Sequence, residues 1–282
     1  MKEFRSKVAV ITGAASGIGR GMAERCAQEG MKVVLADIDE TALVQTDNEL
    51  KAKGATTLAV STDVAKARDV EALADKTLEA FGVIHLLCNN AGVTAGTSVW
   101  ETDLADWQWV MGVNLWGVIH GVRVFVPIML AQQTECHIVN TASIAGLTSG
   151  RGLGVYRVTK HGVVTLSETL YHELAHQKAQ VKVSVLCPGF VKTHIINSKR
   201  VGPGEYQSDP PTKRRSPEEE EARWAELAAS YDVLPVEPVV EAVFAAIRDE
   251  QLYILTHPEY KVGIQARMED ILNERNPAIV EP

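Results

Sequence analysis

The 282-residue sequence predicts an α/β protein: a doubly wound, largely parallel sheet of about seven strands with helices on both faces. Three observations carry this expectation. Short β-branched runs alternate with longer amphipathic ones along the chain. The short runs are apolar nearly throughout, as strands covered on both faces are, rather than at every second residue. A glycine-rich turn also joins the first strand to the first helix, where such sheets bind their ligands.

In chain order, "KVAVIT" (7–12) reads as the first strand and 17–29 as the first helix. "KVVLAD" (32–37) and a helix over 39–53 follow, then "TTLAVST" (56–62) and a helix over 66–81. "IHLLCNN" (84–90) precedes a long helical pattern over about 103–131, and "HIVNTAS" (137–143) precedes another over about 154–178. "VKVSVLC" (181–187), a helix over 236–249 and "LYILT" (252–256) complete the series. No break in this rhythm marks a boundary, so one domain over 1–282 is expected. The exception is the irregular stretch 194–232, with Gly202-Pro203-Gly204, Pro210-Pro211 and dense charge. It begins just past a strand's carboxyl end, which makes 190–232 a candidate substrate lid within that domain.

Composition narrows the function. A net charge of −8 argues against a nucleic-acid partner. The Lys213-Arg214-Arg215 cluster is met at once by Glu218 to Glu221, and reads as a solvated loop and helix start. The longest apolar run, near 115–130, holds His120, Arg123 and Pro127, so no membrane span is expected. Cys26, Cys88, Cys136 and Cys187 have no C-x-x-C pairing and read as buried, reduced thiols of a cytoplasmic protein.

The turn "TGAASGIGRG" (12–21) spaces its glycines as Gly13-x-x-x-Gly17-x-Gly19, with Ser16 and Ile18 between them. Glycines there permit a tight turn and close backbone approach to a pyrophosphate, which sits at the positive end of the following helix. No Lys-Ser/Thr follows, which excludes a triphosphate P-loop. Asp37 ends the second strand. A carboxylate there accepts hydrogen bonds from both adenosine ribose hydroxyls and repels a 2′-phosphate. With Ile38 and Asp39 following, NAD is expected over NADP; the plainer alternative is a turn aspartate that caps a helix.

Together with "NNAG" (89–92), "NLWG" (114–117), Ser143 and "YRVTK" (156–160), these features make the sequence resemble the short-chain dehydrogenase/reductase family from about residue 5 to 193, and loosely to 256. The resemblance implies a Rossmann-type fold and interconversion of a secondary alcohol and its ketone by hydride transfer. It assigns Tyr156 as acid/base, Lys160 to lower the tyrosine pKa and bind the nicotinamide ribose, Ser143 to the substrate oxygen, and Asn114 to a relay water. A free tyrosine has a pKa of about 10, and shifting it by about 3 units takes roughly 4 kcal/mol, which Lys160 and a positive nicotinamide supply jointly. The same carry-over places Asp63 and Val64 beside adenine, and Asn90, Ala91 and Gly92 along the ribose. Pro188, Gly189, Val191 and Thr193 fall at the carboxamide; the plainer alternative for Asp63 is a helix cap. The implied cofactor is NAD and the partner a small alcohol or ketone. By analogy with the family the chain forms a tetramer or dimer through the helices bearing Asn114 and Tyr156.

His172-Glu173-x-x-His176 has the spacing of a zinc hydrolase, but no third ligand follows. On one helix with Tyr156 and Lys160, the histidines lie about 160° round and about 24 Å further along. They read as surface or subunit-contact residues, and no metal is expected. The substrate pocket is expected around Thr94 to Gly96, Ile144 to Leu153 and the lid. Leu147, Leu153, Phe190, Ile195 and Ile196 would make it apolar, with Trp224 or Tyr231 either closing over it or packing in the core. A bulky hydrophobic substrate follows. The rival readings are an NADP-dependent ketone reductase and a regulatory protein that binds NAD without turnover.

Overall fold

A computed structural model describes residues 1–201 and 216–278. The Gly202-Pro203-Gly204, Pro210-Pro211 and Lys213-Arg214-Arg215 features lie outside the described residues.

The strands are β1 (Val8–Thr12), β2 (Lys32–Asp37), β3 (Thr56–Ser61), β4 (Leu86–Asn89), β5 (Cys136–Thr141), β6 (Val181–Cys187), β7 (Phe190–Val191), β8 (Val233–Leu234) and β9 (Tyr253–Leu255). Seven of them form one sheet in the order β3-β2-β1-β4-β5-β6-β9, while β7 and β8 pair with each other. Every pairing in the large sheet is parallel, with Val10 opposite Val34 on one side and Leu87 on the other. The order turns back between β1 and β4. Connections leave these two strands in opposite directions there and open a crevice at their carboxyl ends.

The helices are α1 (Gly17–Gln28), α2 (Glu40–Ala52), α3 (Ala67–Phe81), α4 (Leu104–Met111), α5 (Gly117–Gln132), α6 (Gly154–His176), α7 (Pro217–Ala228), α8 (Val236–Asp249) and α9 (Lys261–Leu272). One face of the sheet packs on α1 and α8, where Met22 and Phe244 join Ile11 and Leu35 in a buried cluster. The other packs on α3, α5 and α6, where Leu73, Phe125 and Leu170 meet Val10, Val34 and Leu87. This two-sided burial explains the continuous apolarity of the strands. All four cysteines are free and buried.

Local signals set the helix ends. Asp39 caps α2 by accepting the Ala42 N–H at 3.1 Å. Gly82 stops α3 in a left-handed conformation. Ser216 and Glu219 form a reciprocal capping box at α7, whose first turn carries Glu218 to Glu220. The helix expected over about 103–131 forms as α4 and α5 joined by one wide turn at Gly112–Trp116 with i→i+5 geometry. By length and composition this continuous stretch is apolar enough to cross a membrane, in spite of His120, Arg123 and Pro127. Its Phe125, Val126 and Met129 instead pack against the sheet. The π-turn, β7, β8 and α9 are additions to the sequence reading.

Candidate active site at the carboxyl edge of the sheet

The turn after β1 is built around backbone proximity. Gly13 is left-handed, and a Cβ there would come within 2.9 Å of the Ala91 backbone. Gly17 is left-handed too, and its Cβ would meet Thr193 at 2.9 Å. A side chain at Gly19 would overlap the Gly13 carbonyl, so this third glycine serves the strand–helix packing behind the turn. The result is a shallow cradle at the first turn of α1.

Thr12 ties the turn to β4. Its hydroxyl accepts the N–H groups of Asn90 and Ala91 at 2.9 and 3.1 Å and donates to the Cys88 carbonyl. The Asn90 amide donates back to the Thr12 carbonyl at 3.1 Å and accepts from the Thr141 hydroxyl. One side chain thus bridges the ends of β1, β4 and β5. The glycine motif includes Thr12 without marking this role; its place as the last residue of β1 is the one local signal for it.

At the far end of the cleft, Asp37 accepts the Ala15 N–H through Oδ2 and the Asp39 N–H through Oδ1, both at 3.0 Å. Asp63 accepts the Ala65 N–H and pairs with Lys66 at 3.2 Å, although α3 begins only at Ala67. The aspartate therefore shapes the loop beside the cleft rather than capping that helix.

At the opposite end, α6 carries Tyr156 and Lys160 one turn apart. Lys160 is buried, and its ammonium donates to the Thr141 carbonyl at 2.8 Å and lies 5.6 Å from the Tyr156 ring. Burial lowers the lysine pKa to about 8. Ser143 lies two residues beyond β5, caps the short turn Ile144–Gly146, and donates its hydroxyl to the Pro188 carbonyl at 3.4 Å. Burial raises the Tyr156 pKa, and the neighbouring Ser143 hydroxyl offsets part of that rise. A Cβ on Gly92 would lie 3.5 Å from the Asn114 side chain and 3.6 Å from the Lys160 ammonium, so these groups surround one point. Asn114 sits in the π-turn, fully buried, with its amide spent on both backbone groups of Val93 and on Thr159.

The cleft is lined by Gly13, Ser16, Gly17, Ile18, Asp37, Asp63, Val64, Asn90, Ala91, Gly92, Ser143, Tyr156, Lys160, Pro188, Gly189, Val191 and Thr193. Of the residues singled out in the sequence, Gly19 and Asn114 stand behind this wall. The apolar lining differs from expectation. Ile195 contributes, but Leu147, Leu153, Phe190 and Ile196 do not, and Val93, Trp109 and Val113 take their place. Leu153 instead lies 42% exposed, and Phe190 packs against Tyr231 with the tilted rings 4.7 Å apart. Trp224 is a strut: it is buried and donates its indole N–H to the Thr193 carbonyl at 3.1 Å.

A residue the sequence reading passed over closes the turn after β6. His257 is buried and bonds both Gly189 and Phe190. It lies far along the chain from them, and no local pattern marks it. His172, Glu173 and His176 are exposed at the other end of α6. Among the described residues no group of three His, Cys, Asp or Glu could hold a metal ion.

The short chain dehydrogenase family model matches residues 7–203. A solved short chain dehydrogenase/reductase from Burkholderia phymatum, in complex with NAD, is 48% identical, covers 100% of both chains and superposes with a TM-score of 0.93. The CLA biosynthesis dehydrogenase/reductase of Lactiplantibacillus plantarum is 36% identical over 99% of this chain and 98% of its own. The 1-deoxy-11-beta-hydroxypentalenate dehydrogenase of Streptomyces exfoliatus is 31% identical over 95% of this chain and 89% of its own. With that sheet order, that cleft and these relatives, the chain belongs to the short-chain dehydrogenase family and is an oxidoreductase acting on CH–OH groups.

Proposed function

We propose that the protein is an NAD-dependent dehydrogenase that interconverts a bulky hydrophobic secondary alcohol and its ketone, with Tyr156 as the acid/base. The observation that carries this reading is convergence: Ser143, Tyr156 and Lys160 meet at one end of a single cleft whose other end holds Asp37. The glycine cradle suits a pyrophosphate at the N-terminus of α1, and Asp37 suits two ribose hydroxyls. When bound, NAD supplies the acceptor for the hydride that leaves the carbinol carbon.

The chain's own groups handle the proton. Ser143 holds the substrate oxygen near Tyr156, and Tyr156 takes the hydroxyl proton in oxidation and returns it in reduction. Burial keeps the phenol above its ordinary pKa in the protein alone, so base action needs positive charge beside it, which Lys160 and a bound nicotinamide would supply. The Thr141 carbonyl holds the Lys160 ammonium near Tyr156, from where it would bind the nicotinamide ribose. Asn114 fixes the loop after β4 against α6 through Val93 and Thr159, which is how it would keep a relay water in place. Asp63 and Val64 would flank adenine, Asn90 to Gly92 the ribose, and Pro188, Gly189, Val191 and Thr193 the carboxamide.

Val93, Trp109, Val113 and Ile195 support a hydrophobic substrate. We read the chain as one domain and 190–232 as the lid over that end, of which 202–215 lie outside the described residues. Trp116, Val158 and Tyr171 are exposed on the helices bearing Asn114 and Tyr156, which supports a homo-oligomer, a tetramer or dimer, assembled through them. We place the protein in the cytoplasm.

The test is absorbance-monitored reduction of NAD and NADP over a panel of secondary alcohols, with wild type beside Tyr156→Phe. Turnover with NAD on bulky alcohols, falling about 10²–10⁴-fold in the variant, is the expected outcome. A preference for NADP, or for small polyols, or an unimpaired variant would overturn the corresponding part of the reading.

A further inference from the structure

His257 stands between β9 and the short turn Pro258–Tyr260, yet its ring serves a turn 68 residues earlier in the chain. Nδ1 lies 3.0 Å from the Gly189 N–H, and Nε2 lies 3.0 Å from the Phe190 carbonyl. Both partners are backbone groups, which cannot exchange donor and acceptor roles. One form of imidazole satisfies both: neutral, bare at Nδ1 and protonated at Nε2. With Nδ1 bare, the Thr256 hydroxyl 2.8 Å away is a donor to it and shares that lone pair with the Gly189 N–H. A proton on Nδ1 would set two donors against each other.

Packing makes the contact intimate. A Cβ on Gly189 would come within 2.8 Å of both the His257 ring and the Tyr260 ring, so the two rings lie directly on the glycine. His257 is 2% exposed, which strengthens its hydrogen bonds relative to those at an open surface. The turn it holds, with Pro188, Gly189 and Val191, lines the cleft at the end that contains Tyr156.

We propose that His257, in its neutral Nε2–H form, is a positioning residue that sets the nicotinamide end of the cleft by holding the turn from Pro188 to Phe190, an inference that rests on NAD occupying the cleft as proposed above. It touches no cofactor atom itself. Its effect is selective: the adenosine and pyrophosphate end depends on Asp37 and the glycine turn, which His257 does not contact.

The experiment compares wild type, His257→Phe and His257→Gln in calorimetric titrations with NAD and with ADP-ribose, which has the same adenosine and pyrophosphate but no nicotinamide. The phenylalanine variant keeps the ring volume and loses both hydrogen bonds. It is expected to weaken NAD about tenfold while ADP-ribose stays within about twofold. Glutamine carries an N–H and a carbonyl at similar reach and is expected to recover most of the NAD affinity. Equal loss of both ligands in His257→Phe, or loss of neither, overturns the positioning role. Wild-type protein that binds neither ligand takes down the NAD reading itself, a different pattern from either. Should the phenylalanine variant fail to fold, long-range proton–nitrogen correlation of wild-type protein near neutral pH decides. A ring signal absent from His257→Gln and protonated at Nε2 alone supports the assignment, and a proton on Nδ1 overturns it.

Discussion

The carboxylate of Asp37 and the backbone amide of Ala15 are hydrogen-bonded at 3.0 Å, joining the acid at the end of β2 to the glycine turn at the end of β1. One side chain therefore shapes the turn and faces the cleft as well. In Asp37→Ala, the turn loses an anchor and, on the function proposed above, a cofactor ribose would lose its acceptor. We expect kcat/KM with NAD to fall about 10–100-fold, as for loss of a charged hydrogen bond, and the NADP-to-NAD ratio to rise. Parallel steady-state assays with both cofactors check this; an unchanged ratio would remove Asp37 from cofactor selection.

Lys160 links the site to stability. Its folded pKa of about 8 lies below the 10.5 of a free lysine, so between those values the unfolded chain binds more protons than the folded one. Stability therefore rises with pH across about 8 to 10.5, and the cost of burying the charge is fully present below that window. The difference amounts to about 3 kcal/mol. Urea unfolding of wild type and Lys160→Met should show the gap between them shifting in favour of wild type from pH 8 to 10, and a parallel pair of curves would contradict it.

Gly121 lets α5 lie directly on β4, because a side chain there would run into the Asn89 amide. Asn89 in turn donates to Asn140 at 2.9 Å, and Asn140 to Ser167 at 3.0 Å, in a buried polar chain from β4 through β5 to α6. Gly121→Ala is expected to destabilise by about 1–3 kcal/mol through overpacking, measured as a lower urea midpoint at constant slope.

His172 and His176 are exposed at the carboxyl end of the helix that begins beside Tyr156. Replacing both with alanine should leave turnover unchanged and stability within about 0.5 kcal/mol. A loss of activity restored by added zinc would revive the metal reading of the H-E-x-x-H spacing.

Much of this was legible in the chain because it is local. The apolar strands, the glycine turn and the Tyr156/Lys160 pair each depend on residues within one turn or one strand of each other. The helix joint at Gly112–Trp116 was not, because a π-turn is imposed by what it packs against: here Asn114 is drawn to both backbone groups of Val93. The apolar lining of the cleft differs from expectation for a similar reason. Leu147, Leu153, Phe190 and Ile196 have the right hydrophobicity, but direction decides lining, and the fold points Val93, Trp109 and Val113 into the cleft instead.

By itself the sequence determined the β/α alternation and the strands' two-sided burial, since short-range periodicity records both, and its family resemblance pointed to polar groups that the cleft brings together. Tertiary structure alone decided the strand order, the raised pKa of Tyr156, the strut made by Trp224 and the clamp of His257 on Gly189. Those four depend on desolvation and on hydrogen bonds between residues far apart in the chain, and neither exists until the sheet has closed its layers.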